Sequence, residues 1–479
     1  MVITEASSSS NTGNVNQWLI SIMRGNGEHG QKTRIQKVPP MLREIQANKT
    51  CYDPSVVAIG PYHHGKPQLE LAEKLKTTTA RQFVSESGKD ITVFYKRVAE
   101  VAGDARKCYA EGSTDNFDDI AFTKMMFLDG CFILYLIDFT VNKKPNHMKM
   151  KCHDIAFVLR DLFLLENQIP FLVLKALMSL RYQGEEGKHN MDEFINQQAS
   201  APDCRPEQTV DIDPLHLLQL LRTKILGHPR NPGPKCSPGK DWHSFRSVTE
   251  LSAVGINCKR SKTCCLRDVE FKSGIYGTLS LPPITIDDST KSKLLNLIAL
   301  ETCPDAPDDS AVTSYVWFMD GLIDRAEDVK ELRSKCILLN FLGSDEQVAD
   351  LFNQVSTDLV PDAHAYEIVK GEIEKHYNNT CRSWMAKMYN TNFRTPWAVI
   401  GLFGSMSYDG CTTIAWQSDA SGILNQSNVS NKTWEVTYTI PSAYWEQSGS
   451  TQHLLGLPPC KCDKPDVSER TAEMFDTME

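Results

Sequence analysis

The 479-residue chain has fifteen cysteines but no CxxC pair; the closest spacings are Cys264–Cys265 and Cys460-x-Cys462. Zinc modules need ligands at short, fixed spacing, so this lack argues against one and fits reduced cytosolic thiols. A GxSxG elbow, a Walker lysine loop and an HExxH helix are also missing, and no cysteine stands in a local catalytic signature. The opening MVITEASSSSNTGN has neither a basic nor an apolar stretch, so no signal peptide is read there, and residues 1–32 are expected to be disordered. Positive charge is not in excess: the formal net charge is −9, which gives no general attraction for nucleic acid or an anionic membrane. Long apolar runs are absent as well, since CFILYLI, from Cys131 to Ile137, is far shorter than a bilayer requires. Sequons at Asn48, Asn378, Asn425, Asn428 and Asn431 carry little meaning without secretion.

What is present reads as a mainly α-helical globular domain with a small antiparallel β insert near residues 266–286. Pro39 and Pro40 open a short helical turn. Helices are expected over 69–86, 91–111 and 117–140, the last with Asp118 and Asp119 at its N-terminus, where carboxylates suit the helix dipole. A second apolar stretch, 154–180, should break near Gln168 and Ile169, because Pro170 removes a donor and disfavours helix at its predecessor. Residues 183–213 read as polar and irregular, 214–226 as a short helix, and GHPRNPGPKCSPGK at 227–240 as a loop or linker. Alternation in LRDVEFKSG and IYGTLSLPPITID predicts a hairpin, with CKRSKTCC at 258–265 as a solvated loop before its first strand. Helices return from Ser289, and Ser344 with Gln347 has capping-box spacing.

Four residues are candidates for chemistry: His63, His64, Asp129 and Glu166. The adjacent histidines lie in IGPYHHG between Gly60-Pro61 and Gly65, and no third ligand stands near them, so they are expected to shape a bend and donate hydrogen bonds rather than hold a metal. Asp129 falls in helical phase with Met125, Met126, Phe132 and Ile133, and Glu166 follows Phe163, Leu164 and Leu165; both carboxylates should be buried. Buried carboxylates titrate high unless paired, and acid–base catalysis exploits such groups. The structural alternative is that Asp129 pairs with an Arg or His, and that Glu166, Asn167 and Gln168 satisfy backbone groups freed by the Pro170 break. Gly25, Gly27 and Gly30 match a dinucleotide-type glycine spacing, but QKTRIQKVPP follows, where such a motif needs a helix. No catalytic residue, cofactor or metal is assigned.

Several blocks in order carry a resemblance: VPPMLREIQANKTCYDPSVVAIGPYHHG, MMFLDGCFIL, DLFLLENQIPFLVL, LLNLIALETC, VTSYVWFMDGLI, LGSDEQVADLFNQV and NFRTPWAVIGLF. The chain resembles the plant family called domain of unknown function 247, or uncharacterised protein family 0481, over roughly residues 33 to 404. The resemblance implies a plant protein with no established enzymatic activity. It also implies a single membrane-spanning helix near the C-terminus and, in grasses, a role in pollen-side self-incompatibility. This sequence departs from the pattern where the anchor belongs. After TPWAVIGLFG it continues SMSYDGCTTIAWQSDASGILNQ, with Asp409 and Asp419 in the window, so the anchor is expected to be lost or disrupted after Gly404. A truncated soluble isoform, an altered reading frame or retained intron, and a shallow interfacial contact through Trp397 and Phe403 all fit this departure.

The expected organisation is a disordered segment at 1–32, a family-like helical domain at 33–403 and a poorly ordered tail at 404–479. The functional expectation is a non-enzymatic interaction or signalling scaffold with a protein partner and no nucleic acid. Its expected location is the cytoplasm or the cytoplasmic face of the plasma membrane. A hydrolase or transferase using the buried Asp, Glu and His is the alternative.

Overall fold

In this computed structural model the chain divides into two units, Met1–Tyr408 and Asp409–Glu479. The structure describes Leu19 and residues 33–143, 150–199, 213–227, 246–274, 276–362 and 364–378. The 227–240 loop beyond Gly227, the tail from 404 and the glycines at 25–30 therefore lie outside the described residues.

The described part is mainly α-helical. Its helices are α1 (Pro40–Arg43), α2 (Glu70–Ser85), α3 (Ile91–Lys107), α4 (Asp119–Asn142), α5 (Cys152–Asp161), α6 (Phe171–Arg181), α7 (Glu186–Ala199) and α8 (Leu217–Leu226). They are followed by α9 (Val248–Ala253), α10 (Thr290–Glu301), α11 (Ala311–Leu322), α12 (Ala326–Ser334), α13 (Asp345–Val355) and α14 (Glu367–Tyr377). Local sequence sets many of the starts. Asp118 accepts the Ala121 N–H at 2.7 Å at the head of α4, Asp90 accepts from Thr92 at α3, and Ser344 and Gln347 close a reciprocal capping box at α13.

Helix α4 is the hub, packed against α2, α3, α6 and α7. Its mean hydropathy of 1.8 and length would suit a bilayer, yet 78% of its most apolar window is covered by other parts of the protein. Gly130 lets α6 approach, because a Cβ there would stand 2.5 Å from Leu177 Cδ1.

Five short strands make up the rest. In the larger sheet β3 (Gly277–Leu281) is central, antiparallel to β2 (Glu270–Ser273), as the hairpin alternation predicts, and parallel to β1 (Ile256–Arg260). The second sheet pairs β4 (Ile284–Ile286) in parallel with the distant β5 (Leu338–Asn340).

Three expectations are corrected. The insert is not purely antiparallel, and Cys258–Arg260 belong to β1 rather than a solvated loop; Ile256 and Cys258 are buried while Asn257 and Lys259 are exposed, a period of two too short to stand out among basic residues. The stretch read as irregular from 183 contains α7, whose Met191, Phe194 and Ile195 are buried against α4 and α8 despite its polar composition. Cys264 is disulfide-bonded, against the expectation of reduced thiols, while Cys51, Cys108, Cys131, Cys258, Cys265, Cys303 and Cys336 are free.

Candidate functional site

The segment Ser55–Gly60 passes from the surface at Ser55 into the interior at Val57 without belonging to any helix or sheet. Backbone groups so placed must find partners or forfeit the energy of hydration. Side chains from four other elements supply them. Asp161, at the end of α5 and fully buried, accepts from three consecutive N–H groups: Ser55 at 3.0 Å, Val56 at 2.7 Å and Val57 at 3.1 Å. Asn167 accepts from the Ile59 N–H at 2.7 Å and donates to the carbonyls of Val57 and Asp161. Asp129 of α4 accepts from the Gly60 N–H at 2.8 Å. Lys76 of α2 donates to the Ala58 carbonyl. The result is an irregular segment whose hydrogen-bonding neighbours are side chains instead of a strand.

Gly60 is required for the geometry. Its φ is +73°, and a Cβ there would meet the Gln168 carbonyl oxygen at 2.4 Å. That carbonyl accepts from the Tyr109 hydroxyl at 3.0 Å. Gln168 in turn donates to the carbonyls of Leu162 and Leu164 and accepts from the Leu218 N–H. The break between α5 and α6, which spans 162–170 and ends at Pro170, is therefore closed largely by Gln168 and Asn167. Glu166 looks elsewhere: it accepts from the Val38 N–H at 2.9 Å and from Arg43 at 2.8 Å.

Asp129 does not pair with an Arg or His, the partners expected for it. Its partner is Lys76, at 2.6 Å, with both side chains at 1% exposure or less. The Lys76 ammonium also meets Glu73 at 2.6 Å, so two carboxylates and a carbonyl surround it. Burial alone would lower the Lys76 pKa, but Asp129 and Glu73 outweigh it and hold the ammonium above its ordinary value. Burial pushes the Asp129 carboxyl up, against the pull of Lys76 and the Gly60 N–H.

Of the four sequence candidates, the structure brings two together. His63 is 1% exposed, with Nε2 3.5 Å from Glu166 Oε2 and Nδ1 3.9 Å from Asp53 Oδ1; neither nitrogen has a hydrogen-bond partner. Burial, followed by the charges of Lys66, Arg43 and Lys37, lowers its pKa to about 4 against the pull of Asp53, so the imidazole is neutral near pH 7. His64 is exposed, its ring edge against Phe117. Asp129 spends its oxygens on Lys76 and Gly60 and makes no polar contact with His63, His64 or Glu166. A cavity of about 640 Å³ lies elsewhere, and none of the four lines it. Among the described residues no three His, Cys, Asp or Glu side chains are grouped so as to hold a metal ion.

Sequence reasoning missed Lys76, Asp161, Arg43 and Asn296, the last accepting the Leu165 N–H and donating to the Cys51 carbonyl. For Lys76 a signal was there. It shares a face with Ala72, Thr79, Ala80 and Phe83, where a lysine is out of place unless paired.

The described residues thus define a mainly α-helical protein whose buried polar side chains hold an internal segment. The family of plant proteins of unknown function, domain of unknown function 247, matches residues 35–408, and the chain belongs to it. UPF0481 protein At3g47200 of Arabidopsis thaliana is 27% identical over 394 residues, covering 74% of this chain and 80% of the relative. Putative UPF0481 protein At3g02645 of the same plant is 20% identical over 444 residues, covering 71% and 82%. No solved structure matches the chain.

Proposed function

We propose that the chain is a non-enzymatic scaffold for protein interaction or signalling, presenting loops, the 227–240 stretch among them, to a protein partner. One observation carries this reading: the buried acids and amides from Asp129 to Gln168 spend their hydrogen bonds on the protein's own backbone and on Lys76 and Arg43, leaving them little for a substrate. The setting proposed with it is the cytoplasm or the cytoplasmic face of the plasma membrane, with the anchor disrupted after Gly404. In a grass, the matching role would be self-incompatibility-type recognition. Replacing residues 228–240 by a Gly/Ser linker of equal length tests the scaffold: thermal stability should hold while partners found by proximity labelling in the chain's own tissue are lost. An unchanged partner set would contradict it.

A hydrolase or transferase is the second reading, supported by the 3.5 Å approach of His63 Nε2 to Glu166 Oε2. Turnover of any ester, amide or glycoside substrate that disappears in His63→Gln, with the fold intact, would put this reading in place of the scaffold.

A further inference from the structure

The cavity of about 640 Å³ is of the size that takes small ligands, and it is bounded by α5, the end of α7, α8, β4 and the start of α10. Phe157, Leu159, Leu221, Ile225, Leu294 and Leu297 give it apolar walls. Its charged lining residues differ in how far their bonding is already used. Arg160 is engaged with Asp161 at 3.3 Å and with the Ser55 hydroxyl. Asp287 accepts from the Ser289 N–H, the Ser289 hydroxyl and the Thr290 hydroxyl, fixing the entry to α10. His153 faces Asp154 at 3.4 Å, and Asp288 is exposed.

Lys293 stands apart from these. Its ammonium makes one hydrogen bond, to Gln198 Oε1 at 3.2 Å, and among the described residues no carboxylate comes within ion-pair reach of it. Withdrawal from water lowers its pKa, with only the more distant Asp287 opposing. A half-buried cation with unspent donors beside an apolar hollow is stabilised by an incoming anion that brings its own apolar body.

We infer that this cavity binds a small amphipathic organic anion, its carboxylate on the Lys293 ammonium beside Gln198 and its hydrocarbon part along Phe157, Leu221 and Leu294. The inference goes beyond the scaffold reading and is independent of it, since replacing residues 228–240 and probing this cavity have separate readouts.

Isothermal titration of the full chain with octanoate, octanamide and butyrate tests it. Octanoate should bind at least about tenfold more tightly than octanamide, which lacks the charge, and than butyrate, which lacks the chain; tenfold is about 1.4 kcal/mol. In Lys293→Met the preference for octanoate over octanamide should vanish while octanamide binding stays. The comparison among ligands on the unaltered protein needs no variant to fold. Equal binding of octanoate and octanamide, no binding of either, or an undiminished octanoate preference in Lys293→Met would overturn the assignment.

Discussion

Lys76 on α2 is fully buried and finds three acceptors, two of them carboxylates; Lys293 on α10 lines a cavity and finds a single amide oxygen. Burial pulls both pKa values down, but the partners of Lys76 reverse the shift and those of Lys293 do not. The contrast separates two uses of a charged group in an interior. Around Lys76 the charge is consumed by the fold, because Asp129 ties α4 to α2 and to the Gly60 N–H at once. Around Lys293 it is left over.

The contrast is sharpest in the variants that remove each charge. Lys76→Met leaves Asp129 buried without a counter-ion, and breaking such a pair costs about 3 to 5 kcal/mol, so chemical denaturation should show a loss of that order. Adding Asp129→Leu to Lys76→Met should recover part of it. Full additivity of the two single losses would contradict the coupling. Gly60→Ala comes next, because it forces a side chain into a positive-φ position 2.4 Å from a backbone oxygen. A loss of about 2 kcal/mol or more is expected by the same measurement.

A pH effect follows from the neutral imidazoles. His63, with a pKa of about 4, and His216, lowered by burial to about 3, bind protons more weakly in the fold than in the unfolded chain. The unfolded state therefore takes up protons first as pH falls below about 6.5, and stability drops progressively from there toward pH 4. A thermal scan series from pH 7 to 4 should show a falling Tm, and the slope should be shallower in His63→Gln. An unchanged slope would mean that His63 is not buried neutral. The smallest effect belongs to Lys293→Met, where a cation held by one amide oxygen and the face of Phe163 gives way to an apolar side chain of similar length. The expected change is within about 1 kcal/mol.

The helical centre was legible because its signals are local. Aspartates at helix starts, the Ser344–Gln347 box and the proline at 170 each act within a few residues, and they set the starts of α4, α13 and α6 where the sequence puts them, although α5 ends at Asp161, earlier than the break expected near Gln168. The burial of Asp129 and Glu166 was legible from helical phase and from the apolar residues preceding Glu166. Their partners were not. Lys76 lies 53 positions from Asp129 and Val38 lies 128 from Glu166, separations that periodicity does not reach. Strands β1 and β5 were hidden for the same reason, since each is short and pairs in parallel with a strand that a linear reading cannot bring to it.

The central claim is that side chains, not a neighbouring strand, hold the segment from Ser55 to Gly60, which enters the interior at Val57. Residue-resolved amide hydrogen exchange tests it most directly. The amides of Val57, Ile59 and Gly60 should exchange as slowly as the slowest core helices, and those of Ser55 and Val56, nearer the surface, should be protected by Asp161. In Asp161→Asn the amides of 55 to 57 should become fast while those of Ile59 and Gly60 remain protected. Rapid exchange of all five in the unaltered protein, or equal protection of 55 to 57 in the variant, would contradict the account.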